Sequence, residues 1–156
     1  MRTLILAALI AGSAAPAIAQ DCPRVPGWNK PQRHIAARSA DMRFALKTGS
    51  AVQLGLRPRR DVRLATPAPR QADARSFAGL AALDVPRAGK LELVLSNRSY
   101  VDLVRDGRAL RSTAHSDPRN CAGVRKVVVF DVKPGRYIVQ LSNAPERAVR
   151  MAAVLR

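Results

Sequence analysis

The sequence predicts an all-β protein, a single antiparallel sandwich or jelly roll of about seven to nine strands. From residue 51 onward, apolar residues alternate with polar ones, as in Val52-Gln53-Leu54, which is typical of strands with one buried face. Turn sequences such as Asp106-Gly107 and Pro134-Gly135 separate these runs. The positions expected to face the core are Leu91, Leu93, Leu95, Val101, Leu103, Val128, Phe130, Val132, Tyr137, Val139, Leu141, Val149, Met151, Ala153 and Leu155.

Residues 1–19 have the three parts of a cleavable secretory signal peptide. Met1-Arg2 is a short positive region, residues 4–11 are apolar, and Ala17-Ile18-Ala19 is a small-x-small cleavage site. The apolar stretch is shorter than the ~20 residues that a membrane span needs, and no later segment is apolar enough to span. Asp21 before the first cysteine argues against a lipid anchor. We therefore expect a periplasmic or secreted chain that begins at Gln20.

Residues 20–50 are predicted to form a lead-in to the sandwich domain, which spans 51–156. Prolines and a glycine around Trp28 indicate irregular structure. The stretch 34–46 mixes apolar residues with alanines, which favours a short helix that runs into a strand. Farther along, Val62 and Leu64 predict another strand, and the proline-rich stretch 66–76 predicts a loop.

An internal repeat lies in the second half of the chain. Residues 83–97 and 130–143 both run from an Asp-Val ending, through a Pro/Gly turn, into an alternating strand that ends in Ser-Asn. Two copies are too few for a solenoid, which needs about three. We expect each copy to form a hairpin, one on each sheet of the sandwich.

The chain contains two cysteines, Cys22 and Cys121. An even pair in an oxidising compartment predicts a disulfide, and two unrelated thiols are the alternative. The loop that such a bond closes is long, so in the chain-entropy model it is worth ~4–5 kcal/mol.

The second half also resembles known domains. The run 83–95 with its Ala88-Gly89 turn, then 100–104, then 134–137 resembles the β-sandwich of pre-peptidase C-terminal-type domains. With Cys22-Pro23 and the segment from His115 to Cys121, the chain is similar to a family of small exported bacterial proteins, some of which bear the name homogentisate 1,2-dioxygenase. The resemblance covers 77–155 well and 20–76 only through the signal, Cys22-Pro23 and the early strands. It implies a sandwich and, through that name, an iron-dependent oxygenase.

The residues themselves argue against this chemistry. A non-haem iron site normally needs two histidines and a carboxylate, and the only candidate ligands of this kind, His34 and His115, have no ligand-type spacing. We therefore interpret the dioxygenase name as a misannotation and expect no metal or other cofactor. Ser112, His115 and Asp117 lie close in sequence, but no nucleophile elbow accompanies them. No catalytic residue is assigned, and a non-enzymatic protein is favoured.

Positive charge is the strongest functional signal. The chain has 27 Lys and Arg against 11 Asp and Glu, a formal charge of +16. Such a surplus favours acidic partners, and arginine suits carboxylate and phosphate groups. Aromatic residues make up only 4%, too few to provide stacking platforms, so we expect no specific nucleic acid. The candidate anion-binding residues form two sets, Arg57, Arg59, Arg60 and Arg63, and Arg105, Arg108 and Arg111, the second continued by Arg119, Arg125 and Lys126.

Three functions remain open at this level. The preferred one is a non-enzymatic accessory or binding module of the cell envelope, for an anionic polymer or an acidic protein. The second is the metal-dependent oxygenase that the family name implies. The third is a purely structural domain, whose arginine content reflects the coding bias of a GC-rich genome. The sequence does not assign an oligomeric state.

Overall fold

Two mixed β-sheets form the protein in the computed structural model, which describes residues 22–42, 45–68 and 73–156. The predicted signal peptide and its cleavage site lie outside these residues. One short 3-10 turn, Arg59–Asp61, follows the fourth strand. The strands in chain order are β1 (Gln32–Ile35), β2 (Ala45–Lys47), β3 (Ala51–Gly55), β4 (Arg57–Pro58), β5 (Phe77–Val85), β6 (Gly89–Leu95), β7 (Tyr100–Arg105), β8 (Arg108–Ala109), β9 (Ala114–Ser116), β10 (Lys126–Val132), β11 (Gly135–Ala144) and β12 (Ala148–Leu155).

The strand order confirms the all-β sandwich. Sheet A has the order β1-β3-β12-β6-β10-β9, and sheet B has the order β2-β5-β11-β7-β8 with β4 paired to β5. Most neighbours are antiparallel, as predicted, but β1 pairs with β3 and β2 pairs with β5 in parallel. Between β1 and β3 the chain visits β2 in the other sheet, which supplies the crossover that a parallel pair requires.

The predicted core positions all lie in or against one hydrophobic cluster between the sheets. Leu91, Leu93 and Leu95 are completely buried, and each such side chain contributes ~1.5–3 kcal/mol of burial free energy. Tyr137 is also buried, and its hydroxyl accepts the N–H of Lys133 at 3.0 Å and donates to the Lys133 carbonyl at 2.8 Å. This hydroxyl ties the start of β11 to the preceding turn, as the tyrosine corner does in immunoglobulin-type sandwiches.

The internal repeat is built differently from the two hairpins that we predicted. In the first copy the chain passes from β5 in sheet B to β6 in sheet A, and in the second it passes from β10 in sheet A to β11 in sheet B. Each copy is therefore an arch that crosses between the sheets. The copies pair with each other, β5 with β11 and β6 with β10. The strand that follows each copy pairs with the second strand of the other copy: β7 pairs with β11, and β12 pairs with β6.

The pairing registers of the two arches are equivalent. Val85 lies opposite Gly135 in one sheet, and Val132 lies opposite Gly89 in the other. One residue farther into the strands, both copies have an ion pair, Arg136 to Asp84 at 3.5 Å and Lys90 to Asp131 at 2.9 Å. Exposed ion pairs of this kind contribute little stability, so the apolar pairs beside them hold the register. The two arches and the strand that follows each of them thus form the six central strands of the sandwich.

The outer face of each sheet is also covered. Residues 22–31 and the loop around Cys121 lie on sheet A, where Val25 and Trp28 pack with Val94 and Val127. Residues 62–66 lie on sheet B, where Val62 and Leu64 pack with Leu80. Met42 packs against the same cluster, and Ala37 forms a backbone bridge with Leu80. The prediction of a strand at 62–64 is therefore wrong. Val62 and Leu64 pack on the outer face of sheet B and do not pair with one of its strands.

The lead-in contributes more to the sandwich than the predicted boundary at residue 51 suggests. The helix expected from His34 onward is not present in the described part of this segment, where β1 pairs with β3 and β2 pairs with β5. A short apolar pattern does not distinguish a helix from an edge strand, and here pairing with existing strands satisfies the backbone. Residues 22–31 are irregular, as predicted, with one turn at 26–29.

Gly79 permits the close approach of the lead-in to sheet B. A Cβ at this position of β5 would overlap the Cβ of Ala36 and lie 3.0 Å from Leu56 Cδ2. Replacing Gly79 with alanine should therefore lower the free energy of unfolding by about 1–3 kcal/mol, the usual cost of overpacking, as measured by urea denaturation. Gly55→Ala is the matched control, because its added Cβ would meet only the His34 carbonyl oxygen at 3.8 Å. Equal midpoints for the two variants would contradict the prediction.

Candidate anion-binding cleft

The first arginine set lies on β4, on the 3-10 turn and just after that turn, at one end of sheet B. Arg59 Nη1 donates to the Val62 carbonyl at 2.9 Å, and Arg60 Nε lies 3.7 Å from the Asp61 carboxylate. Arg57 and Arg59 are partly buried, and their Nε atoms have no hydrogen-bond partner within the described residues. Arg60 and Arg63 are exposed. Arg59 therefore helps to hold the covering segment in place, whereas Arg60 and Arg63 face solvent.

The second arginine set is dispersed. Arg105 Nη1 donates to the Tyr137 hydroxyl at 3.0 Å, and its guanidinium lies 5.2 Å from the centre of that ring. This contact gives Arg105 a structural role. Arg108 lies opposite Arg105 in the β7–β8 hairpin, and Arg111 follows on the crossing to sheet A. Both are exposed, as are Arg119 and Arg125 beside the disulfide loop.

A cleft between the two sheets brings together cations that the sequence left apart. This edge cleft has a volume of about 440 Å³ and lies beside β9, the last strand of sheet A. Tyr100 and Val101 of β7 line it from sheet B, and Lys126 and Val128 of β10 line it from sheet A. The other lining residues are Arg98, Ser112, His115 and Asp117.

Lys126 is the most constrained cation of the edge cleft. Its Nζ donates to the Ser99 carbonyl at 3.0 Å and lies 5.2 Å from the centre of the Tyr100 ring. Partial burial lowers the pKa of the Lys126 ammonium below its ordinary value, and repulsion from Arg98 adds to this shift, while Asp117 opposes it. The cleft therefore holds two neighbouring positive charges with only one carboxylate against them, which favours an anionic ligand.

Lys126 was among the basic residues that the sequence indicated as candidates for anion binding, whereas Arg98 was not. Arg98 belongs to the turn between β6 and β7, and it reaches the cleft because Lys126 pairs with Leu95 in the β6–β10 register. A basic residue just after the Ser-Asn of the first repeat was the only available signal. The pairing of the two repeats, which brings these residues together, is not visible in the sequence.

The two histidines do not form a metal site. His34 lies on β1 and His115 on β9, the opposite edge strands of sheet A. Five strand spacings separate them, roughly 24 Å, so they cannot ligate the same ion. Within the described residues, no group of three His, Cys, Asp or Glu side chains could hold a metal. The site therefore does not fit the iron that the dioxygenase name implies.

Ser112, His115 and Asp117 do line the same cleft. All three side chains are exposed, whereas the aspartate of a catalytic triad is buried against its histidine. Their arrangement offers hydrogen-bonding groups to a ligand without the shielding that a nucleophile needs.

A disulfide joins Cys22 to Cys121, which confirms the predicted pair. The two Cα atoms are 5.3 Å apart and the residues are 99 positions apart in the chain. The bond attaches the irregular lead-in to the loop that precedes β10.

No protein-family model matches the chain, and no curated protein matches it. The likeness to pre-peptidase C-terminal-type domains therefore stays a prediction from the sequence. No helix in the described ranges has the length and apolar character to cross a bilayer.

Proposed function

We propose that this protein is exported through its signal peptide and acts as a non-enzymatic binding module of the cell envelope, for an anionic polymer or an acidic partner protein. The supporting observation is the exposed cationic surplus. Arg60, Arg63, Arg108 and Arg111 face solvent, and the chain as a whole carries a formal charge of +16. The disulfide supports an oxidising compartment, periplasmic or extracellular.

Coulomb attraction of this kind acts over a Debye length of ~8 Å at physiological ionic strength and weakens as salt is added. The protein purified from exporting cells, with an intact mass that starts at Gln20, should be retained by heparin, DNA and anionic vesicles at low salt. About 0.3–0.5 M salt should release most of it from each matrix. Column retention against a salt gradient measures this directly.

The exposed arginines of each set provide the mutational test. The double variant Arg60→Gln with Arg63→Gln should lower the salt concentration of elution. The double variant Arg108→Gln with Arg111→Gln reports whether the second arginine set contributes equally to retention. A basic protein of matched size and net charge is the control. Elution at or below the salt concentration of this control would favour the purely structural domain over the proposed function.

A further inference from the structure

The edge cleft has a fixed cationic side. The Lys126 ammonium uses one of its three N–H donors on the Ser99 carbonyl, so two donors remain for a ligand. Arg98 is exposed, and its planar fork can bind a carboxylate in bidentate fashion. The backbone contact and the Tyr100 ring hold Lys126 in position before any ligand arrives, which reduces the entropy that binding would cost.

The charge balance of the edge cleft selects among anions. Arg98 and Lys126 supply two positive charges, and Asp117 supplies one negative charge. Counted over these three side chains the charge is +1, which complements one carboxylate. A phosphomonoester carries close to two negative charges at neutral pH, and Asp117 would repel the second. A monoanion is therefore the better match.

The remaining polar groups suit a ligand with hydroxyls. Asp117 only accepts hydrogen bonds, whereas Ser112 and His115 can both donate and accept. A ligand with hydrogen-bond donors near its anionic group would therefore pair with Asp117 as well as with the two cations. The volume of about 440 Å³ lies in the range of small-molecule sites, and Val101 and Val128 add an apolar surface.

From this combination we infer that the edge cleft binds an acidic sugar unit, a uronic acid residue with one carboxylate and several hydroxyls. The carboxylate lies between Lys126 and Arg98, and the hydroxyls contact Asp117, Ser112 and His115. This inference rests on the proposed function and names the class of anionic polymer, an acidic polysaccharide.

Titration of the whole mature protein with trigalacturonate tests the inference, with maltotriose as the neutral sugar and inorganic phosphate as the competing anion. Calorimetry should detect trigalacturonate binding that persists at 0.5 M salt, where the general retention on anionic matrices is lost. Maltotriose should not bind, and phosphate should bind more weakly than trigalacturonate.

Lys126→Met should weaken trigalacturonate binding by roughly tenfold or more, because a charged hydrogen bond is lost. Lys47→Met is the matched control, since Lys47 is an exposed lysine on β2 at the other edge of sheet B. Asp117→Asn, at an exposed position that should not affect folding, should strengthen phosphate binding and reduce the preference for trigalacturonate. Thermal melting of each variant checks that the fold is intact.

Several results would overturn the acidic-sugar site. These are equal losses for Lys126→Met and Lys47→Met, an unchanged preference in Asp117→Asn, or trigalacturonate binding that disappears with salt as fully as that of phosphate. If a polyglutamate peptide binds more tightly than trigalacturonate, the ligand of the cleft is an acidic protein and not an acidic sugar. Each of these outcomes leaves the general retention on anionic matrices intact, so the proposed function is tested separately, by elution above the salt concentration of the charge-matched control.

Discussion

Replacing Cys22 with serine is expected to lower the free energy of unfolding by about 4 kcal/mol, within the ~2–5 kcal/mol typical of small exported domains. The disulfide closes a loop of 99 positions, and without it the unfolded chain gains the entropy of that loop. Val25 and Trp28 would also lose their attachment over Val94 and Val127 on the outer face of sheet A. Urea denaturation of the oxidised protein and of the variant measures the difference.

Two controls separate the disulfide from the side-chain change. Wild-type protein in reductant should match Cys22→Ser, and the double variant with Cys121→Ser should match both. Trp28 is the only tryptophan, so its fluorescence reports whether residues 22–31 detach before the sandwich unfolds. Coincident midpoints for the oxidised wild type and the variant would contradict the prediction.

Gln140→Leu is expected to lower the free energy of unfolding by about 2–4 kcal/mol. Gln140 is completely buried on the outer side of β11, where its Oε1 accepts the N–H groups of Ala65 at 2.8 Å and Thr66 at 3.1 Å. Its Nε2 donates to the Thr66 carbonyl at 3.1 Å and to Asp102 Oδ2 at 3.0 Å. Leucine has a similar volume but leaves these groups without partners, so the segment 62–66 should lose its anchor to sheet B.

Asp102→Asn is the matched control, because asparagine keeps an oxygen that can accept from Gln140. Burial raises the pKa of Asp102 above its ordinary value of 3.8, and the hydrogen bond from Gln140 partly opposes this shift. The folded state therefore holds this proton more tightly than the unfolded state. The resulting stability is present below pH 3.8 and is lost as the pH rises through the raised pKa.

Asparagine has no such titration. The stability of Asp102→Asn relative to wild type should therefore increase from pH 4 to pH 7, as followed by urea midpoints at each pH. A wild-type profile parallel to that of the variant would show that burial of Asp102 has no energetic effect. A Gln140→Leu midpoint equal to that of Asp102→Asn would show that the buried amide network is dispensable.

The edge cleft shows how far site prediction could go. Lys126, His115 and Asp117 were each noticed in the sequence, but for different reasons and as members of different groups. Arg98 was not noticed, and the two arginine sets that looked most promising lie elsewhere, partly in structural roles such as that of Arg105 on Tyr137. Runs of arginine in sequence report proximity along the chain, whereas a binding site requires convergence in space.

The sequence alone determined the fold class, the core positions and the cysteine pair. These properties depend on local chemistry: alternation of apolar residues predicts a half-buried strand whatever its neighbours are. An even number of cysteines behind a predicted signal peptide predicts a disulfide. The repeat was also visible, because Asp84-Val85 and Asp131-Val132 occupy the same place in each copy.

Only the tertiary structure decided how these elements combine. The repeat forms two interlocked arches because β5 and β6 find their partners in β11 and β10, which are far away in sequence. Val62 and Leu64 cover a sheet instead of extending it, since sheet B has an apolar outer face that only the assembled fold creates. The edge cleft exists for the same reason: long-range strand register places Arg98, Lys126 and Asp117 together, and no local pattern encodes that register.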